Sequence, residues 1–256
     1  MTSSLVRAYD LEIRSNPPLE PGEILERVDG LVRTLGSHNL VIYSELESKD
    51  VGWVVEKQVA FFRERGEAVE WKLYAHDRPQ NLGDALSTNG FQPDERETLM
   101  VLDLARATPN FPVTPNVDIR TVRTSSDVDT YVAVTERAFG SQPKTAAADL
   151  ALRLFGNGAS TIASIAYVDG NAAAAGRLHL PPGRSFASMW EGCTDPNLRR
   201  RGIYRTLVAE RVRTARDRGY KYLTVDALDT SRPILERLGF IPITTVRAWN
   251  FSPTRG

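Results

Sequence analysis

The sequence predicts an α/β fold built as two tandem, divergent copies of one unit, the first of them partial. Strand-like and helix-like hydrophobic periods alternate along its 256 residues. A set of landmarks also occurs twice in the same order. Arg63-Glu64-Arg65-Gly66 and Arg216-Asp217-Arg218-Gly219 each close a helix. Each is followed by a strand, then Arg-Pro (Arg78-Pro79; Arg232-Pro233), a short helix, Gly-Phe-x-Pro (Gly90 to Pro93; Gly239 to Pro242) and another strand. Between the copies, 107–116 carries Pro109, Pro112 and Pro115 without any period, which predicts an extended linker. The expected division is therefore 1–106, a linker at 107–116, and 117–256.

The first copy starts with turn signals, Asn16-Pro17-Pro18 and Glu20-Pro21-Gly22. Ile24, Val28, Leu31, Val32 and Leu35 fall at helical spacing and predict a helix closed by Gly36. Strands are predicted over 39–46, 69–75 and 98–104, and helices over 51–65 and 82–86. In the second copy a short strand at 119–122 precedes a helix capped from Ser125-Ser126-Asp127 and running to about Phe139. A further helix is predicted over 146–155. Two apolar runs, 162–168 and 172–180, flank Asp169-Gly170-Asn171 and read as a β-hairpin. A third strand at 185–194 completes a meander. Beyond the helix that ends at Gly219 come a strand at 222–227, a short helix at 232–238 and a last strand near 244–251.

Composition excludes several classes. The chain is 41% hydrophobic and 25% charged, ordinary values for a globular protein. Lys+Arg and Asp+Glu both total 32, which argues against nucleic acid as a partner. One cysteine, Cys193, permits neither an intrachain disulfide nor a multi-cysteine metal site, and suits a reducing cytoplasm. The first residues lack a signal-peptide core, and no apolar run is long enough to span a membrane. A cytoplasmic protein with no metal and no membrane partner is expected.

The chemistry concentrates at 191–218. A strand ends at Thr194, Asp195-Pro196-Asn197 turns the chain, and Arg199-Arg200-Arg201-Gly202-Ile203-Tyr204 leads into an amphipathic helix. Strand, basic glycine-containing loop and helix together aim backbone N–H groups and the positive end of a helix dipole at one point, which makes an anion site. In the first copy the corresponding helix follows Ser44 to Asp50, which is acidic and would repel a phosphate. No Gly-x-Gly-x-x-Gly follows an early strand, so a dinucleotide-binding fold fits less well.

On these residues the second copy resembles the GNAT superfamily of N-acetyltransferases. Arg199-x-x-Gly202 matches the superfamily's acyl-CoA loop, Pro196 stands three residues ahead of it, and Leu238-Gly239-Phe240 matches its late signature. The resemblance spans roughly 117–251. It implies a central mixed, mainly antiparallel sheet flanked by helices, acetyl-CoA as co-substrate, and direct acetyl transfer to a primary amine of a small molecule or peptide. It further implies that Cys193, Thr194, Arg199, Arg200, Arg201, Gly202, Ile203, Tyr204 and Arg205 hold the cofactor. A free N–H of Gly192 or Cys193 would meet the thioester oxygen.

Two departures stand out. Tyr204 occupies a place usually taken by Gly or Ala, and its side chain must point away from the pyrophosphate. Leu235 stands where many members carry a tyrosine that protonates the leaving thiolate. For the remaining steps the candidates are Glu191 as base, Asp226 as a further carboxylate, and Ser231 as a proton donor or helix cap. His179 is a possible relay, and Arg177 with Arg184 a possible contact for an acidic acceptor. The partial first copy is expected to act as an internal pseudo-dimer partner in a monomer, with a homodimer as the other arrangement. The competing function is a non-catalytic acyl-CoA-binding or regulatory module, motivated by Leu235.

Overall fold

The computed structural model describes residues 2–107 and 113–253. Residues 108–112 of the expected linker therefore lie outside the described residues. The chain forms two compact units, one of Met1–Met100 with Asp226–Pro233 and Pro242–Gly256, the other of Val101–Val225 with Ile234–Ile241. They interleave along the chain, so late segments help to build the first unit.

The first unit contains α1 (Thr2–Tyr9), β1 (Ile24–Val28), β2 (Leu31–Leu35), β3 (Leu40–Ser44), α2 (Val51–Arg65), β4 (Val69–Tyr74) and α3 (Leu82–Thr88), with most of β5 (Gln92–Asp103). The expected helix over 24–35 is instead the β1–β2 hairpin, paired from Ile24↔Leu35 to Val28↔Leu31. Its turn is Asp29-Gly30, with φ of 50° and 77°, the two positive values a tight hairpin turn requires. Likewise, the expected turn-rich beginning is helical through Tyr9 and continues as a wider turn over Asp10–Arg14. That turn delivers Arg14, fully buried, to Asp77, whose carboxylate oxygens accept its Nη2 at 2.8 and 2.7 Å. The ion pair offsets the cost of burying the guanidinium.

β3 runs parallel to β4 (Val41↔Trp71), and the other edge of β4 takes the last strand, β11 (Ile241–Phe251), antiparallel from Val69↔Phe251 to Tyr74↔Val246. Strand order in this unit is β1-β2-β3-β4-β11-β5. α2 presents Val55, Val59 and Phe62 to Trp71, Phe91, Trp249 and Phe251, so the C-terminal strand belongs to this core.

The second unit contains β6 (Val117–Thr121), α4 (Ser125–Phe139), α5 (Ala146–Phe155), β7 (Thr161–Val168), β8 (Asn171–His179), β9 (Phe186–Thr194), α6 (Ile203–Asp217) and the start of β10 (Tyr222–Ala227), in strand order β10-β9-β8-β7-β6. The meander β7–β8–β9 is antiparallel, as the Asp169-Gly170 turn predicted. The cap of α4 is Thr124, one residue before the expected group. Its hydroxyl accepts from Asp127 N while the Asp127 carboxylate accepts from Thr124 N, a capping box. One face of the meander packs on α4 and α5 through Tyr131, Val134, Leu150, Ile165 and Cys193. The opposite face packs on α6 through Ala166, Ala174, Ile203 and Leu207. β10 joins β9 in parallel for three pairs, Tyr222↔Phe186 to Thr224↔Ser188. Short helix α7 (Arg232–Arg237) brings Leu235, fully buried, before Gly239-Phe240.

Candidate active site

The site grows from the mismatch between β9 and its two neighbours. On the β10 side the register covers Phe186 to Ser188, whereas β9 continues to Thr194. On the β8 side the register slips between Ala175↔Cys193 and Arg177↔Trp190, so Glu191 and Gly192 face the single residue Gly176. Glu191 takes φ of 50° there, the mark of a β-bulge. A glycine inside an apolar strand is the signal that foretells such a bulge.

The bulge re-aims Glu191. Its carboxylate accepts Arg177 Nη2 at 2.7 Å through Oε1 and the Tyr131 hydroxyl at 3.1 Å through Oε2. Burial and the nearby Glu191 carboxylate hold the Tyr131 phenol well above its usual range. Glu191 is therefore an exposed, oriented carboxylate in an ion pair. His179, on the same side of β8, is pushed down to about 4 by burial and by the charges of Arg153 and Arg177. It is neutral near pH 7 and bonds the Ser160 hydroxyl at 3.0 Å, which removes it from proton relay at that pH.

Behind the bulge, on the α6 side, lies Arg211. It is 2% exposed, yet its Nη2 has no hydrogen-bond partner among the described residues. Two missing side chains make room for it. A Cβ on Gly176 would come within 2.9 Å of Arg211 Nη1, and one on Gly192 within 3.1 Å of Nη2. The same Cβ on Gly192 would meet Tyr204 Cε2 at 3.1 Å, so the tyrosine ring reaches the bulge. Sequence reading missed Arg211 because an arginine in an amphipathic helix ordinarily faces solvent.

After β9 the loop takes shape from local forces. Asp195 accepts Asn197 N at 3.0 Å and Arg137 Nε at 2.8 Å, which fixes the turn at Pro196–Leu198. Arg199 donates back to the Thr194 carbonyl at 3.3 Å. Arg200 (φ 63°) and Gly202 (φ 78°) are left-handed, and Gly202 caps α6. A Cβ at Gly202 would run into the Thr114 hydroxyl, so conformation and space both demand glycine. Thr206 Oγ1 holds Thr114 N at 2.9 Å, and this keeps that chain over the loop. Arg200, Arg201 and Arg205 are exposed and form no ion pair among the described residues. Free cations beside the first turn of a helix of 15 residues suit a phosphate or pyrophosphate.

The other predicted residues sit as follows. Cys193 is buried on the α4–α5 side, its thiol pushed up to about 11 chiefly by burial, which leaves it protonated and a poor nucleophile. Thr194 is 8% exposed at the end of β9. Asp226 and Ser231 belong to the first unit. There Lys72 Nζ lies 2.6 Å from Asp226 Oδ2, a partner distant in the chain. Burial and the Asp226 charge push Glu97 up to about 7 in the same cluster. The Ser231 hydroxyl donates to the Leu228 carbonyl at 3.1 Å. Arg177 faces the bulge, while Arg184 lies in the β8–β9 connection.

A splayed strand pair, a bulge and a basic loop at a helix start define an acyltransferase-like architecture, and the comparisons agree. Residues 129–240 match the acetyltransferase (GNAT) family model. No curated protein matches the chain. Among solved structures it is similar to a GCN5-related N-acetyltransferase from Kribbella flavida, at 16% identity and a TM-score of 0.67, over 100% of this chain and 95% of that one. It is similar to one from Sphaerobacter thermophilus at 12% identity and 0.65, over 98% and 85%. A tandem GNAT protein from the clavulanic acid biosynthesis pathway matches at 14% identity and 0.63, over 94% and 87%. At these identities the likeness speaks for the fold, and that fold is the tandem GNAT arrangement.

Proposed function

We propose that the protein is an acetyl-CoA-dependent N-acetyltransferase acting on a primary amine of a small molecule or peptide. The observation that carries this reading is the loop in which left-handed Arg200 and Gly202 lead into α6, with three exposed arginines that form no ion pair among the described residues beside the helix start. The donor set fits a pyrophosphate, with backbone N–H groups at the α6 start and the Arg200, Arg201 and Arg205 guanidinium groups as its holders. When bound, acetyl-CoA supplies an activated acetyl thioester. On its β10 side the register of β9 ends at Ser188, and a main-chain donor beyond it, Gly192 N–H in this reading, would meet the acyl oxygen. Glu191, held by Arg177 and Tyr131, takes the proton the amine loses on acylation. Thermal denaturation with and without acetyl-CoA tests the reading. Stabilisation of the wild-type chain, lost in Gly202→Glu, supports it, and no stabilisation at millimolar acetyl-CoA contradicts it.

A second reading, a non-catalytic acyl-CoA-binding module, is favoured by Leu235. It is fully buried and carries no proton for a leaving thiolate. Binding of acetyl-CoA without thiol release across an amine panel distinguishes that module from the enzyme.

A further inference from the structure

We propose that Tyr204 is the acid that protonates the departing thiolate, with Arg211 as the counter-charge of its phenolate. The assignment rests on the acetyl-transfer reading above and deepens it. Transfer to an amine breaks the C–S bond, and sulfur leaves with both electrons and needs one proton. The C–N bond forms as the amine gives up a proton to Glu191. A donor near the bulge must therefore supply the sulfur.

Most hydroxyl groups near the open part of β9 are already committed. Tyr131 gives its proton to the Glu191 carboxylate, and Thr224 donates to the Ala187 carbonyl at 3.1 Å. Ser188 Oγ accepts from Trp190 Nε1 at 2.7 Å, and an aliphatic hydroxyl is a weaker acid than a phenol. Thr194 Oγ1 is sealed inside the protein. Tyr204 remains. It makes no hydrogen bond among the described residues, and its Cε2 faces the space beside Gly192.

Arg211 explains how a phenol can act there. Its Nη2 and the Tyr204 ring meet the same position at Gly192, each 3.1 Å from where a Cβ would stand. Burial raises the Tyr204 phenol, while the Arg211 charge pulls it down. The proton is thus present at neutral pH, and the phenolate formed on donation has a buried cation whose Nη2 is without a partner among the described residues. Solvent returns the proton to Tyr204 and removes the one held by Glu191, so the cycle balances. Two features of the sequence then share one cause: a bulky residue at the helix start supplies the hydroxyl that Leu235 lacks.

Tyr204→Phe keeps the ring and removes the hydroxyl. We expect kcat to fall about 10²-fold, with KM for acetyl-CoA changed less than about twofold and the alkaline limb of the kcat profile lost. A test independent of turnover compares coenzyme A with desulfo-coenzyme A. Tyr204→Phe should weaken coenzyme A several-fold and leave the desulfo form unchanged, because only the former presents sulfur to the hydroxyl. Wild-type kcat and pH profile in Tyr204→Phe, or equal losses for both ligands, would overturn the assignment while acetyl transfer by the wild type stands. Failure of the wild type to bind either ligand would remove the acetyl-transfer reading, and this assignment with it.

Discussion

Lys72 Nζ and Asp226 Oδ2 lie 2.6 Å apart although 154 residues separate them in the chain. The pair is a consequence of how the first unit is completed, for it takes 226–233 and β11 from the C-terminal end. Burial costs the Lys72 ammonium its hydration, yet the Asp226, Glu70 and Glu97 carboxylates hold its pKa above the usual lysine range.

That topology predicts how the chain behaves when cut. A fragment of 113–256 retains β11 but loses β4, its partner from Val69↔Phe251 to Tyr74↔Val246. Trp249 and Phe251 would then face water, and a β11 edge would lie open to aggregation. The fragment is expected to be insoluble or partly folded, by circular dichroism and size-exclusion chromatography. A soluble monomer with wild-type activity would contradict the prediction.

The loop arginines should act as charges. Arg200→Ala with Arg201→Ala removes two exposed cations that have no ion-pair partner among the described residues, so folding stability should change by less than about 0.5 kcal/mol. Acetyl-CoA affinity should fall at least tenfold, with a shallower salt dependence. Calorimetric titration at two ionic strengths gives both quantities.

Glu191 is held for proton transfer by Arg177 and Tyr131. Glu191→Gln keeps the shape and loses the base, so kcat/KM at neutral pH should fall about 10²-fold. Arg177→Met should lower activity less, since it frees the carboxylate without removing it. Steady-state kinetics with one amine acceptor orders the two variants.

His179 sets a pH dependence of stability. Its pKa is about 4 in the folded chain and about 6.5 when unfolded, so between those values the unfolded state binds more protons. Its contribution is fully present above pH 6.5 and is lost as pH falls toward 4, by up to about 3 kcal/mol. Glu97, raised to about 7, works in the opposite sense: its contribution is present below pH 4.5 and is lost as pH rises through 7. Denaturant melts at pH 5 and 8 should show the His179→Asn variant with a flatter acid-side slope, and Glu97→Gln gaining on the wild type toward pH 8.

Much of this was legible in the sequence where local chemistry decides conformation. Asp169-Gly170 set the β7–β8 hairpin, and the Arg199-x-x-Gly202 run set the start of α6. Over 24–35 the same apolar residues satisfy helical spacing and a pair of short strands. Asp29-Gly30 was the turn signal that separates the two, and its φ values of 50° and 77° are what a helix cannot accommodate. Partners distant in sequence left no local trace. Nothing near Lys72 announces Asp226, and nothing in β11 announces β4. Arg211 was hidden for a related reason, since its burial depends on two glycines on other strands, Gly176 and Gly192.

If the basic loop holds acetyl-CoA and the chain moves its acetyl group to an amine, free thiol and acetylated product must appear together. The most direct measurement incubates the full chain with acetyl-CoA and a panel of primary amines and follows thiol release and product mass together. The account predicts one free thiol for each acetylated amine, with both signals lost in Gly202→Glu. Absence of thiol release and of acetylated product on every acceptor, at concentrations where acetyl-CoA is bound, would contradict it.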